Sequence, residues 1–153
     1  MKRPLTLIVL AAAVALTVTL AAGSSGAASS GGGKRIAVFE RATTDTLVDL
    51  PPAGDSLGDT LTFANEVFDA RTGMKVGTDQ GQCVRTVVGQ AFECFWTTFL
   101  PRGQITVQGP FYDAADSTLA ITGGTGAYRN ARGTMDLHAR SATEFDFVFH
   151  VIG

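Results

Sequence analysis

The feature that most restricts the fold of this chain is an alternation of apolar and polar residues with a period of two. It runs through residues 36–42 (IAVFERA) and 61–68 (LTFANEVF). Such alternation is typical of β-strands with one buried face. The same pattern recurs, between Gly, Pro, Asp and Asn turn residues, at 75–87, 91–100, 104–109, 118–122, 134–140 and 144–152. The sequence therefore predicts roughly eight strands and no helix of useful length.

The length of the chain and the number of strands leave two architectures open. The chain has 153 residues, which suits one compact domain. Roughly eight strands form either a β-sandwich or a closed barrel, and closure removes the exposed edges that invite aggregation. A barrel of eight strands is wide enough to be filled by side chains or to hold one small ligand.

The N-terminal segment differs in character from the rest. Lys2 and Arg3 precede an apolar run from Leu5 to Leu20, and small residues follow. This order is typical of a secretory signal peptide. The alternative is an uncleaved membrane anchor, because the run approaches the length of a membrane-spanning helix. We predict a secreted protein without stable membrane association after cleavage, consisting of a signal peptide (1–28), a flexible linker (29–34) and a β-domain (35–153).

The charge balance and the histidines limit the possible partners. The chain carries 12 Lys and Arg against 14 Asp and Glu, and no basic cluster stands out along the sequence. Because nucleic-acid binding depends on clustered Lys and Arg, no nucleic-acid partner is expected. His138 and His150 lie in different predicted strands, without Cys or carboxylate residues at metal-ligand spacing. No metal site is therefore predicted.

The two cysteines suggest a cross-link between neighbouring strands. Cys83 and Cys94 are symmetric about the pair Val88 and Gly89. A tight hairpin turning there would place them opposite each other, close enough for a disulfide. In an exported protein we expect them to be oxidised. The alternative is a free, reactive thiol at Cys83.

The glycine run from Gly123 to Gly126 allows two interpretations, a phosphate-binding loop or a bend between strands. A phosphate loop needs a following helix whose N-terminal amides meet the anion. Residues 127–133 offer at most two turns before another glycine and another strand. We therefore predict a sharp bend, in which glycine supplies positive φ angles.

Aromatic residues are concentrated on the apolar faces of the predicted strands. Phe145, Phe147 and Phe149 share one face of the last strand, and Phe63, Phe92 and Trp96 lie on apolar faces of others. Aromatic side chains bury large areas wherever they lie, so both an ordinary core and a ligand-binding lining remain open.

Two polar residues interrupt these apolar rows. Glu40 shares its face with Val38, and Asn65 lies between Phe63 and Val67. A carboxylate in a poorly solvated cavity stabilises cationic character or acts as a general base. The alternative is a glutamate that reaches solvent or pairs with an arginine. A buried Asn65 needs hydrogen-bond partners, from the backbone, from water or from a reacting group.

Residues 58–153 resemble the barrel domain shared by plant allene oxide cyclases and dirigent proteins. GDTLTFANEVFDARTGMKVGTDQGQC resembles the cyclase pattern GDLVPFTNKLY…VGITAGLC, and ITVQGPFYDAADSTLAITGGTG resembles SVQGPYLTYEDTFLAITGGSG. GGTGAYRNARG is similar to the dirigent loop GGTGxFRxARG. The resemblance implies an all-β fold, an eight-stranded antiparallel β-barrel, and a homotrimer. An outward row of Phe39, Phe68 and Val148 would give that trimer an apolar patch to cover.

The resemblance also implies roles for individual residues. In the cyclases a lining glutamate stabilises developing positive charge while an unstable epoxide rearranges without a cofactor, and Glu40 matches it. The asparagine that helps to hold a water matches Asn65, and the lining cysteine matches Cys83. Ala42 stands where the cyclases have a second asparagine. In the dirigent loop, the arginine matches Arg132, which either acts at the barrel rim or pairs, like Arg129, with Asp113 or Asp116.

These observations lead to two functional hypotheses. In the first, the barrel is a cofactor-free isomerase or cyclase for a reactive apolar or phenolic small molecule, with Glu40 and Asn65 as catalytic residues. In the second, it binds such a ligand, or steers its coupling, without chemistry of its own. In both, the predicted ligand contacts are Phe63, Phe92, Trp96, Arg132 and Phe147.

Overall fold

The computed structural model describes residues 33–153, so the predicted signal peptide and all but the last two residues of the predicted linker lie outside the described residues. Residues 33–153 contain a 3-10 helix at Gly126–Tyr128 and no helix long and apolar enough to cross a membrane. Their nine strands are β1 (Lys34–Arg41), β2 (Thr46–Val48), β3 (Thr60–Asp69), β4 (Lys75–Val87), β5 (Ala91–Leu100), β6 (Gly103–Tyr112), β7 (Ser117–Gly124), β8 (Arg132–Ala139) and β9 (Glu144–Ile152).

Eight of these strands close into an antiparallel barrel. The order is β1-β9-β8-β7-β6-β5-β4-β3, and pairing of β1 with β3 closes the ring. The short β2 pairs with the first three residues of β3, and the sequence did not predict it. The predicted all-β fold with an eight-stranded antiparallel barrel is therefore confirmed. Closure gives every long strand two neighbours and leaves no long edge unpaired.

The side chains on the inward face of each strand fill the barrel. Alternate residues of a strand point to opposite faces, and the inward row of β9 is aromatic, as the sequence predicted. Its members Phe147 and Phe149 are fully buried, and Phe145 is half-buried. Large aliphatic residues of β6, β7 and β8 complete the core, namely Ile105, Val107, Leu119, Ile121, Met135 and Leu137.

The β4–β5 hairpin brings the two cysteines together. Cys83 and Cys94 face each other across the strands and form a disulfide, as predicted. The register shifts between Arg85 and Val87, so the connection is the three residues 88–90 rather than a two-residue turn. The bulge lies beyond the cysteines toward the turn and leaves their alignment intact.

The glycine run bends the chain at one end of the barrel, as predicted. β7 continues to Gly124, and the 3-10 helix follows. Within the run only Gly126 has a positive φ, of 59°. Gly124 is needed for a different reason, because a Cβ there would collide with the carbonyl oxygens of Gln104 and Tyr128. One glycine therefore supplies the turn and the other allows close approach of the backbone.

Antiparallel strands place alternate connections at opposite ends of the barrel. We call one end the mouth end; it comprises residues 42–59, 88–90, 113–116 and 140–143. The other is the far end, which comprises the start of β1, residues 70–74, 101–102 and 125–131, and the end of β9.

The predicted apolar patch on the outer surface is covered within the single chain. Phe39 and Phe68 stack with their ring centres 5.2 Å apart, and both side chains are buried. The guanidinium carbon of Arg41 lies 4.3 Å from the Phe68 ring centre, and that of Arg140 lies 4.4 Å from the Phe39 ring centre. The expectation that these phenylalanines are exposed was therefore wrong. The homotrimer stays a prediction.

Candidate functional site

A narrow cavity opens at the mouth end of the barrel. A water-sized sphere can reach about 40 Å³ inside it, and the empty space between atoms is about 380 Å³ when the open mouth is included. Its charged lining residues are Glu40 and Asp45. The rest of its wall is the disulfide and apolar side chains, namely Leu61, Phe63, Cys83, Cys94, Trp96, Phe111, Leu137, Phe145 and Phe147.

Aromatic contacts shape this wall. Trp96 packs against Phe147 with ring centres 5.4 Å apart and meets Phe63 edge-on at 6.1 Å. Its strand partner in β4 is Gly81, where a Cβ would collide with Trp96 itself. The missing side chain at Gly81 therefore lets the indole lie close to β4. The Trp96 N–H is buried and has no hydrogen-bond partner among the described residues.

A wider vestibule lies outside the cavity and shares part of its wall. Phe111 and Phe145 meet edge-on, with ring centres 6.0 Å apart, and line both spaces. The remaining vestibule residues come mainly from the loops 113–116 and 140–143. This aromatic pair therefore lies where the vestibule meets the cavity.

Three of the five predicted ligand contacts line the cavity, and two do not. Phe63, Trp96 and Phe147 are in its wall. Phe92 points inward but lies in the core, with the Arg85 guanidinium carbon 3.6 Å from its ring centre. Arg132 begins β8 at the far end, where it is exposed. Sequence reasoning could not tell at which end or depth of the barrel Phe92 and Arg132 lie, and their role as ligand contacts stays a prediction.

The acidic residues of the mouth-end loop have other partners than those suggested by the sequence. Asp113 accepts hydrogen bonds from Arg85 Nη1 at 2.8 Å, and Asp116 lies 2.7 Å from His138 Nδ1. The suggested pairs with Arg129 or Arg132 were wrong, because both arginines lie at the opposite end of the barrel.

Glu40 lies in the cavity wall and is held there by an amide. It is 6% exposed, and among residues 33–153 no Lys, Arg or His pairs with it. Asn65 donates one amide hydrogen to Glu40 Oε1 at 2.6 Å and the other to Asp45 Oδ1 at 2.7 Å. The carboxyl is therefore fixed by a neutral donor rather than by a cation.

The loop after β1 fixes the orientation of Asn65. Its Oδ1 accepts hydrogen bonds from the Thr43 N–H, the Thr44 N–H and the Thr44 hydroxyl, at 2.9 to 3.0 Å. These bonds turn its nitrogen toward Glu40. Because both amide hydrogens are donated and Asn65 is not in the cavity wall, it acts on a ligand only through Glu40.

A second carboxyl that sequence reasoning missed lies behind Glu40. Asp79 is the strand partner of Asn65 in β4 and is 1% exposed. Its carboxyl lies near enough to that of Glu40 for each group to affect the pKa of the other. Neither Asp79 oxygen receives a well-formed hydrogen bond from an N–H or hydroxyl group among the described residues. A proton shared between the two carboxyls would account both for their proximity and for the lack of N–H or hydroxyl donors to Asp79.

Burial raises the pKa of both carboxyl groups. It raises the pKa of Glu40 to about 7, reinforced by the charge of Asp45 and opposed by the Asn65 hydrogen bond. Burial and the charge of Glu40 raise the pKa of Asp79 to about 9. Two like charges in a poorly solvated site cannot both form cheaply. The pair therefore keeps at least one proton at neutral pH.

The described residues show no arrangement suited to a metal ion. No group of three or more His, Cys, Asp or Glu side chains in residues 33–153 is placed to hold one. The chemistry that these residues offer is that of a carboxyl pair beside an aromatic cavity.

Comparison with solved structures finds this barrel in proteins of diverse activity. A pyocyanin demethylase matches with a TM-score of 0.67 and 24% identity, over 76% of this chain and 100% of that one. An exo-specific intermolecular Diels-Alderase matches with a TM-score of 0.66 and 14% identity, over 80% of this chain and 100% of that one. A pterocarpan synthase dirigent protein matches with a TM-score of 0.62 and 18% identity, over 83% and 94%. At these identities the likeness shows the fold alone.

Comparison with protein families identifies the group to which the sequence belongs. The sequence profile described as allene oxide cyclase matches residues 39–149, which include β2 to β8 and parts of β1 and β9. The matched range contains Glu40, Asn65, Asp79 and the disulfide. This chain is therefore a member of the allene oxide cyclase family.

Proposed function

We propose that this protein is a cofactor-free isomerase or cyclase that acts on a small, reactive apolar or phenolic molecule in the mouth-end cavity. The observation that carries the proposal is Glu40, a buried carboxyl with a pKa raised to about 7 in the wall of an otherwise apolar, aromatic cavity. A general base or acid works best when its pKa lies near the working pH. The absence of a paired cation leaves the negative charge free to act on a ligand.

The proposed reaction conserves atoms and electrons. The Glu40 carboxylate removes a proton from the ligand, bonds within the ligand rearrange, and the protonated carboxyl returns the proton at another position. Where the rearrangement passes through cationic character, the same carboxylate stabilises it electrostatically. Asp79 keeps the shared proton at the closed side of the pair, so the exchangeable proton is that of Glu40. Asn65 is a positioning residue that holds Glu40 in place.

The test of this proposal uses a generic substrate for carboxylate bases, 5-nitrobenzisoxazole. A base removes its ring proton while the N–O bond opens to a cyanophenolate. We expect the rate to rise with pH through about 7, because the carboxylate is the active form. Glu40→Gln should abolish the protein-catalysed rate. Glu93→Gln is the matched control, since Glu93 is an exposed residue of β5 that is absent from the cavity wall. Equal rates in both variants would refute the role of Glu40.

The fluorescence of Trp96 can report whether a ligand occupies the cavity. Trp96 is the single tryptophan and lines the cavity. Quenching of its fluorescence by 5-nitrobenzisoxazole or by 1-naphthol therefore measures binding separately from turnover. Binding that persists in Glu40→Gln while turnover is lost would support catalysis by Glu40.

A second candidate is a barrel that binds such a ligand without chemistry. The hydrogen bonds of Asn65 and the disulfide of Cys83 favour it, because neither residue offers a free group for the role implied by its family counterpart. This candidate predicts saturable quenching of Trp96 and a rise in melting temperature with 1-naphthol concentration, as mass action requires. It also predicts that Glu40→Gln and wild type give the same 5-nitrobenzisoxazole rate.

A further inference from the structure

The two ends of the barrel differ sharply in charge. The connections of the far end, 70–74, 101–102 and 125–131, contain no Asp or Glu. The connections of the mouth end contain one basic residue, Arg140, and six acidic ones, namely Asp45, Asp49, Asp55, Asp59, Asp113 and Asp116. The fold therefore separates charges that are interspersed along the sequence.

Basic residues from separate elements meet at the far end. They come from the start of β1, from three connections and from the start of β8, and all of them are exposed. They are Lys34, Arg35, Arg71, Arg102, Arg129 and Arg132. The sequence predicted no basic cluster because these residues are scattered along the chain. The antiparallel topology gathers them at one end.

These six basic groups have no acidic partners. Among residues 33–153, none of the six lies within 4.0 Å of a carboxylate. By contrast, Arg41, Arg85 and Arg140 toward the mouth end each form an ion pair. Asp69, the last residue of β3, is next to the connection 70–74; it accepts hydrogen bonds from the Thr72 N–H and hydroxyl and from the Arg71 N–H, and the charge of Arg71 helps to lower its pKa without forming an ion pair. The positive charge of the far end is therefore left to an external anion.

We propose, against the expectation of no stable membrane association after cleavage, that the far end docks the barrel onto a membrane surface rich in anionic phospholipids, with the cavity mouth facing away from the membrane. Each Lys or Arg close to such a surface contributes attraction that falls off within a Debye length. The acidic mouth end is repelled by the same surface, so the charge distribution selects one orientation.

The position of the chain start favours a membrane over a soluble polyanion. β1 begins at the far end, so residues 1–32 join the barrel at this face. In the sequence only residues 21–33 separate the apolar run Leu5–Leu20 from Lys34. While that run is attached and lies in a membrane, as the sequence predicts, the short link to Lys34 would bring the far end, rather than the mouth end, next to the bilayer.

The test compares two kinds of vesicle and two variants of the full chain. One vesicle is pure phosphatidylcholine and the other contains about 30% phosphatidylglycerol. The test variant combines Arg71→Gln, Arg102→Gln, Arg129→Gln and Arg132→Gln. The control combines Gln80→Glu, Gln82→Glu, Gln90→Glu and Gln108→Glu, which are exposed positions outside the far end. Both variants change the net charge equally, and thermal unfolding checks that both are folded.

Binding of the apolar run contributes equally to both vesicles, so the ratio of the two partition coefficients isolates the charge effect. We expect wild type to prefer the anionic vesicle by at least about tenfold at low salt, since each basic residue near the surface contributes roughly fivefold. High salt and the test variant should remove most of this preference, and the control should keep it. Equal partitioning of wild type, or equal loss in both variants, would overturn the proposal. Retention by soluble polyphosphate without any vesicle preference would overturn it too and assign a different partner.

Discussion

At the scale of single residues, the site combines one carboxyl that the sequence revealed and one that it did not. Glu40 was identified because it interrupts an apolar row and matches a family position. Asp79 carried a weaker signal, since it shares strand parity with Cys83, whose inward direction follows once the disulfide is predicted. What the sequence could not show is that closure of β1 onto β3 brings Glu40 and Asp79 together. That proximity depends on the register of three strands.

The carboxyl pair predicts a loss of stability with rising pH. In the unfolded chain both groups ionise near their ordinary pKa, about 4. In the folded chain they keep protons until about pH 7 and pH 9. The unfolded state therefore binds fewer protons in between, and the free energy of unfolding falls as pH rises from 5 to 9. We expect a fall of about 2 kcal/mol or more, seen as a lower melting temperature.

Asp79→Asn should flatten this pH dependence, because it removes the group with the most strongly raised pKa. Glu93→Gln provides the control and should leave the slope unchanged, since its side chain is exposed. Melting curves of the three proteins at several pH values decide the matter. A wild-type curve that is flat between pH 5 and 9 would contradict the shared proton.

Asn65 gives a prediction that separates a positioning role from a merely structural one. Its amide hydrogen bond lowers the pKa of Glu40 by stabilising the carboxylate. Asn65→Leu removes that bond, so the pH at which the 5-nitrobenzisoxazole rate reaches half its plateau should rise by about one pH unit. A lower melting temperature alone would show only that Thr43 and Thr44 had lost their acceptor. An unshifted pH profile would count against the role of Asn65.

At the scale of elements, the period-two pattern predicted every long strand, because each has one face in the barrel. β2 escaped prediction, since three exposed residues show no alternation. The depth of a residue in the barrel also escaped prediction. Phe92 points inward like Trp96, but it lies two pleat repeats closer to the β4–β5 connection, where Arg85 covers it. The alternation of residues along a strand shows which face of the sheet a side chain lies on, but not how deep it lies in the barrel.

The contact between β4 and β5 yields a prediction for the cavity wall. In Gly81→Ala the new Cβ would collide with Trp96 and with the Phe95 carbonyl oxygen. The strands must separate or the indole must move into the cavity, at a cost of about 1 to 3 kcal/mol. We expect weaker quenching of Trp96 by 1-naphthol and a lower free energy of unfolding in urea. Gly123→Ala is the control, because its Cβ would come no closer than 3.4 Å to Thr106 Oγ1. Equal effects in both variants would contradict this account.

At the scale of the whole molecule, the disulfide joins the neighbouring strands β4 and β5. It closes a loop with a sequence separation of 11 residues. In the chain-entropy model a loop of this size stabilises the fold by about 2 to 3 kcal/mol. Urea unfolding of the double variant Cys83→Ser and Cys94→Ser should show this loss without a change of fold. Val84→Thr and Glu93→Gln, on neighbouring paired positions, form the control, and a comparable loss there would assign the effect to strand pairing.

The same disulfide decides which chemistry the cavity offers in a given redox environment. Both cysteines are part of the cavity wall, and Cys94 lies on the same strand as Trp96. Under oxidising conditions they are bonded to each other, and Glu40 is the strongest base that a guest molecule meets. Under reducing conditions the same wall would present two thiols, and a thiolate would attack an electrophilic guest rather than move its proton. If the proposed function holds, the redox state of this disulfide would therefore decide whether the cavity favours proton transfer or covalent capture of an electrophile.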